Sequence, residues 1–540
     1  MLRSNNFLMR MMVVATIAVV FTGISCLIAA AQEDETDVDC TSSPDDPACS
    51  PCNMTHYASS DWPTVHANSC LQAASPGAGP GTPVSSWRFT DTRSGARQLW
   101  NYSIDSRGYL YLISGTVVEG VNTNEFRVFD ANGKVLAGPV RLKDWADTMQ
   151  PLLYQGDKVF TAELGQVRKW MLNGNPLRLK EYQNFNGSLQ LTADDTDFQS
   201  LKVIGGIQLS RTGDLIFATT NGVDVFAPNP HPIARLYAME AGSGAIKAAV
   251  DLVHLAAIGS DTNNTAAVDR LHDLVYVVLV GGKMAALHYE QSSFELWWTF
   301  NYGNLNSQTS PTIGSKNGTV YLASATEFDP AIQTFRTHLF GVDPLTTPPG
   351  PAGPPELNAT SSNVRSVDII GPTPPLPPSP VGVLLASPAV ASYGPQGNNW
   401  IFAGALFQPM QAFEDTGPGG ALVLKWRTSV PTPPSGLLLP SNAVGGNMAV
   451  DTVQGLVYTA RMGVPNPGCQ ALAPQQFVIV AAAYDINTGI LAPGWGTSST
   501  LCLGDELGLV AVPGNNMVSF NTVQHLNGSP ASSLLVVRGF

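Results

Sequence analysis

Charged residues are scarce in this chain of 540 residues, and basic residues are the scarcer kind. Asp, Glu, Lys and Arg make up 13% of the sequence, with 28 basic residues against 41 acidic ones. Proteins that bind nucleic acid need clustered Lys and Arg to neutralise phosphates, and an acidic chain opposes that contact. We therefore expect no nucleic acid partner.

Long apolar runs are also lacking, with one exception at the start of the chain. Residues 11–31 follow Arg3 and Arg10 and end in three alanines, after which the sequence turns acidic. This order is typical of a secretory signal peptide, so we expect residues 1–31 to be removed by cleavage after Ala31. No later run reaches the roughly 20 residues that span a bilayer, so we expect no transmembrane segment beyond the signal.

Two alternatives for this run remain. It is long enough to act as an uncleaved anchor. Attachment of a lipid at Cys26 ranks last, because the apolar run continues past the cysteine. Cleavage would leave 26 basic and 41 acidic residues and an extracellular protein with a formal charge of −15.

Familiar catalytic motifs are missing as well. Neither His-Glu-x-x-His nor Gly-x-Ser-x-Gly occurs, and the histidines are scattered singly. The densest carboxylate group, Asp194-Asp195-Thr196-Asp197, lacks the Gly and the downstream Glu of an EF-hand loop, so we interpret it as a solvated loop. We assign no catalytic and no metal-binding residue.

Cysteine is rare, but its placement is informative. Removal of the signal leaves an even set, as expected in an oxidising compartment. We expect the four cysteines before residue 86 to pair among themselves, and the last two to pair within one blade. The candidates are Cys40, Cys49, Cys52, Cys70, Cys469 and Cys502. Cys49 and Cys52 lie in a proline-rich setting, which favours a structural staple over a redox pair.

Seven Asn-x-Ser/Thr sequons support export, since this motif accepts N-linked glycans in secreted proteins. The predicted glycosylation sites are Asn53, Asn101, Asn186, Asn263, Asn317, Asn358 and Asn527.

A short β-rich phrase returns eight times, each time as a turn followed by an apolar strand. The phrases are Arg107–Tyr111, Gly156–Phe160, Gly213–Phe217, Asp273–Tyr276, Asn317–Tyr321, Asn399–Phe402, Gln454–Tyr458 and Asn515–Val518. They lie roughly 45 to 80 positions apart, the spacing of propeller blades. The pattern predicts an all-β fold, a β-propeller of eight four-stranded blades, with seven blades as the alternative.

The domain organisation follows from these phrases. Residues 32–86 are rich in Cys and Pro and form an N-terminal segment, and residues 87–540 form the propeller. A proline-rich insertion between blades is predicted at about 346–381. We expect Ile216, Val275, Val320 and Val457 in the core, and Trp87-Arg88-Phe89 to complete the last sheet and close the ring.

Arg235 to Gly244, after the strand Leu215–Ala218, resembles the repeat of pyrroloquinoline-quinone-type propellers. Ala483 to Gly489, after Leu456–Tyr458, resembles it too. The resemblance implies the propeller fold, in a family that spans quinone-dependent dehydrogenases and non-catalytic scaffolds. In those dehydrogenases an adjacent cysteine pair packs on the quinone beside a calcium ion. No two cysteines are adjacent here, so no cofactor residue is carried over.

The family's Trp-Gly docking motif is mostly absent, although Trp297, Trp298, Trp426 and Trp495 fall near blade ends and are expected to pack between blades. The function expected from the sequence is a secreted or cell-surface glycoprotein that binds an extracellular protein or glycan. The alternative is an enzyme, either a quinone- and calcium-dependent oxidoreductase of alcohols or sugars or another enzyme built from propeller loops.

Overall fold

The computed structural model describes most of the chain from Cys49 onward. The described ranges are 49–60, 62–64, 66–91, 96–118, 121–142, 150–195, 201–203, 206–221, 234–252, 265–279, 282–290, 292–303, 309–329, 334–369, 387–404, 409–428, 443–444, 447–465, 477–496, 502–504, 506–514, 516–526 and 529–539. Residues 1–48 therefore lie outside the described part, and so do the predicted signal peptide, Cys26 and Cys40. No helix in the described ranges has the length and apolar character needed to span a bilayer.

The described residues form eight sheets arranged around an axis, so the protein is a β-propeller with eight blades. The prediction of eight rather than seven blades is confirmed. Blades 1 to 8 are named here in chain order. In seven of them the first strands in the chain lie at the inner edge of the sheet and the last strands lie at its outer edge.

The strands of the first four blades follow in chain order. Blade 1 contains β3 (Ala96–Ile104), β4 (Leu110–Val118), β5 (Val121–Phe129) and β6 (Val135–Leu142); blade 2 contains β7 (Leu152–Tyr154), β8 (Lys158–Glu163), β9 (Gln166–Asn173), β10 (Arg178–Glu181) and β11 (Gly187–Ser188); blade 3 contains β12 (Lys202–Val203), β13 (Gln208–Leu209), β14 (Leu215–Asn221), β15 (Arg235–Glu240) and β16 (Ile246–Asp251); blade 4 contains β17 (Ala267–Asp269), β18 (Leu274–Leu279), β19 (Lys283–Glu290) and β20 (Ser293–Asn301).

The remaining strands complete the ring. Blade 5 contains β21 (Thr312–Ile313), β22 (Val320–Asp329), β23 (Thr334–Val342) and β25 (Val364–Asp368); blade 6 contains β26 (Ala389–Tyr393), β27 (Asn398–Ala403), β28 (Gln411–Asp415) and β29 (Leu422–Arg427); blade 7 contains β30 (Ala443–Val444), β31 (Ala449–Asp451), β32 (Leu456–Pro465), β33 (Phe477–Asp485) and β34 (Cys502–Gly504), with β1 (Ala74–Ser75) added in parallel to β31; blade 8 contains β35 (Glu506–Gly514), β36 (Met517–Leu526), β37 (Ser529–Arg538) and β2 (Ser85–Asp91).

The eight predicted phrases mark the same strand in every blade. Each leads into or lies within the second strand, from β4 in blade 1 to β36 in blade 8. These strands are apolar because both of their faces are covered by neighbouring blades. The predicted core residues Ile216, Val275, Val320 and Val457 are all fully buried.

The ring closes through the strand predicted to close it. β2 pairs antiparallel with β37 along its whole length, from Ser85 opposite Arg538 to Asp91 opposite Ser532. Trp87 lies opposite Val536 and Phe89 opposite Leu534. The N-terminal strand thus becomes the outer strand of the C-terminal blade, and the two ends of the repeat region are held in one sheet.

Two strands lie inside the segment for which the sequence predicts a proline-rich insertion. Val364–Asp368 is the fourth strand of blade 5, and Glu356–Asn358 crosses to blade 4, where it pairs in parallel with β20. The prolines between β23 and the strand Glu356–Asn358, here β24, therefore belong to a connection within blade 5 that reaches back over its neighbour. Residues 370–386 lie outside the described part of the chain.

Tryptophans join blades at two places in the same way. The indole N–H of Trp426 in blade 6 donates to the carbonyl of Ile486 in blade 7, at 2.8 Å. That of Trp87 in blade 8 donates to the carbonyl of Ala131 in blade 1, at 2.9 Å. Each ring covers the glycine that ends the turn of the next blade.

The other tryptophans vary in their contacts. Trp495 packs against Tyr458 of its own blade and Phe520 of blade 8, so packing between blades is confirmed for Trp426 and Trp495. Trp298 contacts Tyr276 of its own blade. Trp297 instead stacks on His288 of its own blade, with ring centroids 4.2 Å apart. Trp87 was missed as a docking residue because it lies ahead of the first blade in the chain, in the strand that closes the ring, and not near the end of a predicted blade.

The glycine under Trp87 allows a matched test of this docking. Gly133 and Gly353 have nearly the same positive φ, +85° and +86°, but a Cβ would lie 2.8 Å from Trp87 at Gly133 and meets nothing within 4 Å at Gly353. Both alanine substitutions should cost about 1–2 kcal/mol in backbone strain. Gly133→Ala should cost a further 1–3 kcal/mol or so through overpacking. Thermal unfolding would contradict the docking contact if the two variants lost equal stability.

Candidate functional site

Residues 50–83, here called the strap, lie across the centre of the ring. Among their described members the two-residue strand β1 is the only regular structure, as the sparse strand pattern of the sequence predicts. From Trp62 onward, strap residues contact the blades one after another, and the chain then enters β2 in blade 8.

The strap is hydrogen-bonded to all eight blades, at or near the point where each inner strand ends. The bonds are Ile104 N–H to Trp62 carbonyl, Leu153 N–H to Pro63 carbonyl, Thr64 hydroxyl to Ile207 carbonyl, Val268 N–H to Ser69 carbonyl, Ile313 N–H to Cys70 carbonyl, Val390 N–H to Gln72 carbonyl, Val450 N–H to Ala73 carbonyl, and Asn516 N–H to Ala78 carbonyl, at 2.7–3.3 Å. From Trp62 onward the blades are met in chain order, 1 to 8, so this part of the strap makes one circuit of the channel. The residues before it run the opposite way, since Pro51, Ala58 and Ser59 bond blades 4, 2 and 1 in turn.

This circuit places the strap on the face of the ring that carries the turns between first and second strands, here called the strapped face. Most side chains at the centre of the strap are buried, including Trp62, Thr64, Ser69 and Leu71. Their apolar members belong to the same core clusters as the blades. The strap therefore fills the channel at this end.

The path of the strap requires unusual backbone conformations. His56, His66, Ala67, Leu71 and Ala73 all have positive φ, between 50° and 76°. This left-handed region costs residues other than glycine roughly 1–2 kcal/mol each. The contacts with the blades must offset that cost, which marks the strap as a strongly determined part of the structure.

Arg270 anchors the strap to blades 3 and 4. Its guanidinium is fully buried and donates to the carbonyls of Asn53 and Thr55 in the strap and of Ser210 and Arg211 in blade 3, at 2.7–2.9 Å. Since Arg has five N–H donors in a fixed fork, it can hold several chain segments at once. Sequence reasoning missed Arg270 because none of its four acceptors is a side chain.

One disulfide staples the strap to itself. Cys52 and Cys70 are bonded, which confirms that cysteines of the N-terminal segment pair with one another and that Cys52 does not pair with nearby Cys49. Cys49 is also disulfide-bonded. The predicted pair of Cys469 and Cys502 lies outside the described side chains.

A cleft of about 350 Å³ opens on the strapped face between blades 1 and 2. Ala58 and Ser59 of the strap form one side, and the turns 105–107 and 153–159 form the others. Pockets that bind small ligands span about 300–1,000 Å³, so the cleft is at the small end of that range.

Charge in the cleft is organised around Arg107. Its guanidinium bonds the buried carboxylate of Asp105 at 2.6 and 2.8 Å and that of Asp157 at 2.6 Å. Burial by itself would lower the pKa of Arg107, but the hydrogen bond and charge of Asp105 and the charge of Asp157 give a net upward shift. Burial and the charge of Asp105 also raise the pKa of Tyr111, which stays neutral. Arg107 is therefore a fixed cation.

Two further cations join neighbouring blades. Lys169 of blade 2 donates to the carbonyl of Ala241 in blade 3 at 2.7 Å among aromatic rings, and burial lowers its pKa to about 8. Arg365 of blade 5 bonds Asp343 of its own blade and the fully buried Asp415 of blade 6, at 2.6 and 2.8 Å. Both residues act between blades and lie outside the lining of the cleft, although the ammonium of Lys169 lies 5.9 Å from the ring of Tyr154, which lines it.

The predicted glycosylation sites differ in exposure. Asn186 and Asn358 are exposed, Asn317 is half-buried with its side-chain oxygen bonded to Asn399, and Asn53 is buried in the strap. Asn101, Asn263 and Asn527 lie outside the described side chains. Glycosylation stays a prediction, and the structure leaves Asn186 and Asn358 as the most accessible acceptors.

The predicted carboxylate loop is only partly solvated. Asp194 is exposed, but Asp195 accepts a hydrogen bond from Arg235 at 3.1 Å, while Thr196 and Asp197 lie outside the described residues. Within the described ranges, no group of three or more His, Cys, Asp or Glu side chains could hold a metal ion. The described side chains therefore do not fit the calcium ion of a calcium-bound quinone, and we derive no reaction step through such a cofactor.

The Cys52–Cys70 disulfide should contribute measurably to the stability of the strap. The Cys52–Cys70 bond closes a loop with a sequence separation of 18. A bond that closes a loop of this size stabilises a fold by about 3 kcal/mol, so the double variant Cys52→Ser/Cys70→Ser should lose that much stability. Limited proteolysis should then cut the strap first. An unchanged unfolding midpoint would show that the blades alone hold it.

The free energy of unfolding should depend on pH because of the buried imidazole of His66. Burial lowers its pKa from 6.5 to about 4, so the folded protein keeps the imidazole neutral while the unfolded chain binds a proton below pH 6.5. Stability should be fully present above pH 6.5 and fall by up to about 3 kcal/mol as the pH drops to 4. His66→Asn, which tolerates the positive φ, should flatten this part of the curve. Equal slopes for both proteins in denaturant titrations would refute the assignment.

Known proteins resemble this chain only weakly. No family model and no curated protein matches this chain. Among solved structures, it is similar to a quinohemoprotein alcohol dehydrogenase from Pseudomonas putida, at 10% identity over 91% of this chain and 81% of that one, with a TM-score of 0.44. Sqt1 of Chaetomium thermophilum, bound to the N-terminus of a ribosomal protein, gives 10% identity over 84% and 98%, with a TM-score of 0.49. BamB from Moraxella catarrhalis gives 12% over 70% and 96%, with a TM-score of 0.36. These values carry no argument about activity.

Proposed function

We propose that the protein is a secreted or cell-surface glycoprotein whose strapped face binds an extracellular protein or glycan. The observation that carries the proposal is the strap itself, which fills the end of the channel and bonds to every blade. A ligand that approaches this face meets a closed, rigid surface instead of an open channel. A preorganised surface loses little entropy when it binds, which favours a binding or structural role.

Two observations support export. A basic start followed by an apolar run and small residues is typical of a secretory signal. The Cys52–Cys70 bond fits an oxidising compartment, since disulfides persist mainly in exported proteins.

Exposed apolar residues allow the surface to be tested. Val453 and Ile490 lie in turns of blade 7 on the strapped face, where they are 60% and 68% exposed. Val423 and Leu424 lie on the outer strand of blade 6, at 43% and 40% exposed. The two pairs have similar chemistry but lie on different surfaces.

An array of glycans and secreted proteins should yield a saturable partner for the intact protein. Val453→Ser/Ile490→Ser should weaken that partner at least about tenfold, or about 1.4 kcal/mol, because interface residues lose contact when truncated. Val423→Ser/Leu424→Ser should leave the affinity unchanged. A blank array, or equal effects of the two double variants, would contradict the proposal.

Reconstitution with quinone and calcium tests the enzymatic alternative directly. Dye reduction with any member of a panel of alcohols and sugars would favour the oxidoreductase over the binding module.

A further inference from the structure

The cleft between blades 1 and 2 offers hydrogen-bonding groups that the protein itself leaves unused. Arg107 bonds its carboxylates through Nε and one terminal nitrogen, and its other terminal nitrogen, Nη1, has no partner among the described residues. The ammonium of Lys158 has no hydrogen-bond partner there either and lies 5.7 Å from the Tyr154 ring. Both cations line the cleft.

One acceptor stands beside these donors. Asp157 bonds Arg107 through Oδ1, and its side chain remains 48% exposed. Asp105 differs, because both of its oxygens are filled by the backbone N–H groups of Arg107 and Tyr109, by the Arg107 side chain and by Tyr111. Among the carboxylate oxygens of the cleft, the one left free is thus the second oxygen of Asp157.

The charge and polarity of the cleft indicate which class of ligand it can bind. Two cations and two carboxylates cancel, so the cleft has no net charge with which to attract an ionic ligand. Ser59 and Gln155 add exposed polar groups beside these charges, while the half-buried Ala58 and Tyr154 give the cleft an accessible apolar part as well. The larger aliphatic members Leu153 and Val159 are buried, so the cleft is too shallow for the deep aromatic or aliphatic anchor typical of protein partners.

We propose that this cleft binds a neutral sugar unit of a glycan through adjacent hydroxyl groups. One hydroxyl would donate to the free oxygen of Asp157 and accept from Arg107 or Lys158, and its neighbour would accept from the other cation. Hydroxyl groups suit this set because each donates one hydrogen bond and accepts two. The inference rests on the proposed binding function and assigns the cleft its ligand class.

The backbone conformation at Asp157 allows a variant that changes only the charge of its side chain. Asp157 has φ of 58°, in the left-handed region that Asn tolerates as well as Asp. Asp157→Asn removes the charge without a backbone penalty. Lys158→Met removes the ammonium and keeps the stem, and Lys134→Met does the same at an exposed turn of blade 1 outside the cleft.

Saturation-transfer NMR with lactose, cellobiose, maltose and chitobiose tests the proposal on the intact protein. At least one sugar should bind saturably, and Asp157→Asn and Lys158→Met should each weaken it at least about tenfold, the value of 1.4 kcal/mol. Lys134→Met should bind like the unmodified protein. The affinity should be nearly constant between about 0.05 and 0.5 M salt, because a neutral ligand is little affected by screening.

Several results would overturn the assignment. These are the absence of binding by all four sugars, wild-type affinity in Asp157→Asn, or binding of sialylated or sulfated sugars alone with a steep salt dependence. If a deglycosylated protein partner bound saturably and no sugar did, the proposed binding function would hold but the sugar assignment would be rejected. If neither a protein partner nor a sugar bound, both the binding function and the sugar assignment would be rejected.

Discussion

Every sheet of this molecule must bury two apolar faces, and no blade can do so alone. The buried second strands, such as Leu274–Leu279 with all six residues buried, are covered only because a neighbouring blade lies on each side. A linear row of blades would leave its first and last sheets exposed. Closure by β2 on β37 removes that problem, and it fixes the positions of all the turns that reach the strapped face.

Ring closure leaves a channel whose inner strands end in unpaired backbone groups. In seven blades an N–H at or just after the inner strand donates to a strap carbonyl, and in blade 3 a carbonyl accepts from Thr64. Buried backbone groups without hydrogen-bond partners cost free energy. The strap therefore supplies partners for the backbone groups that line the channel, as well as filling it. The same segment forms one side of the cleft with Ala58 and Ser59. The proposed site is therefore built jointly by the blades and by a segment that precedes them.

The repeats could be predicted from sequence because each blade repeats one local pattern. A turn before an apolar strand is visible within five residues, as in Gly213–Phe217, and the closing role of Trp87–Phe89 follows from the need for a last strand. The strap could not be predicted, because nearly all its bonds use backbone groups and join residues that lie between 42 positions (Trp62 to Ile104) and 438 positions (Ala78 to Asn516) apart. The cleft could not be predicted from the sequence for a related reason. Arg107 and Asp157 belong to different blades, and the phrases Arg107–Tyr111 and Gly156–Phe160 that contain them mark blade turns and carry no binding motif.

The order of the strap along the chain has a consequence for synthesis. Residues 62–73 leave the ribosome before any blade exists, yet they carry partners for seven of the eight blades. Domains assemble from the N-terminus during translation. Each new blade therefore meets, at the axis, a template that is already present, and vectorial assembly lays the blades down in their final sequence around it. A circular permutant with residues 50–83 moved to the C-terminus would keep those bonding groups but lose the template.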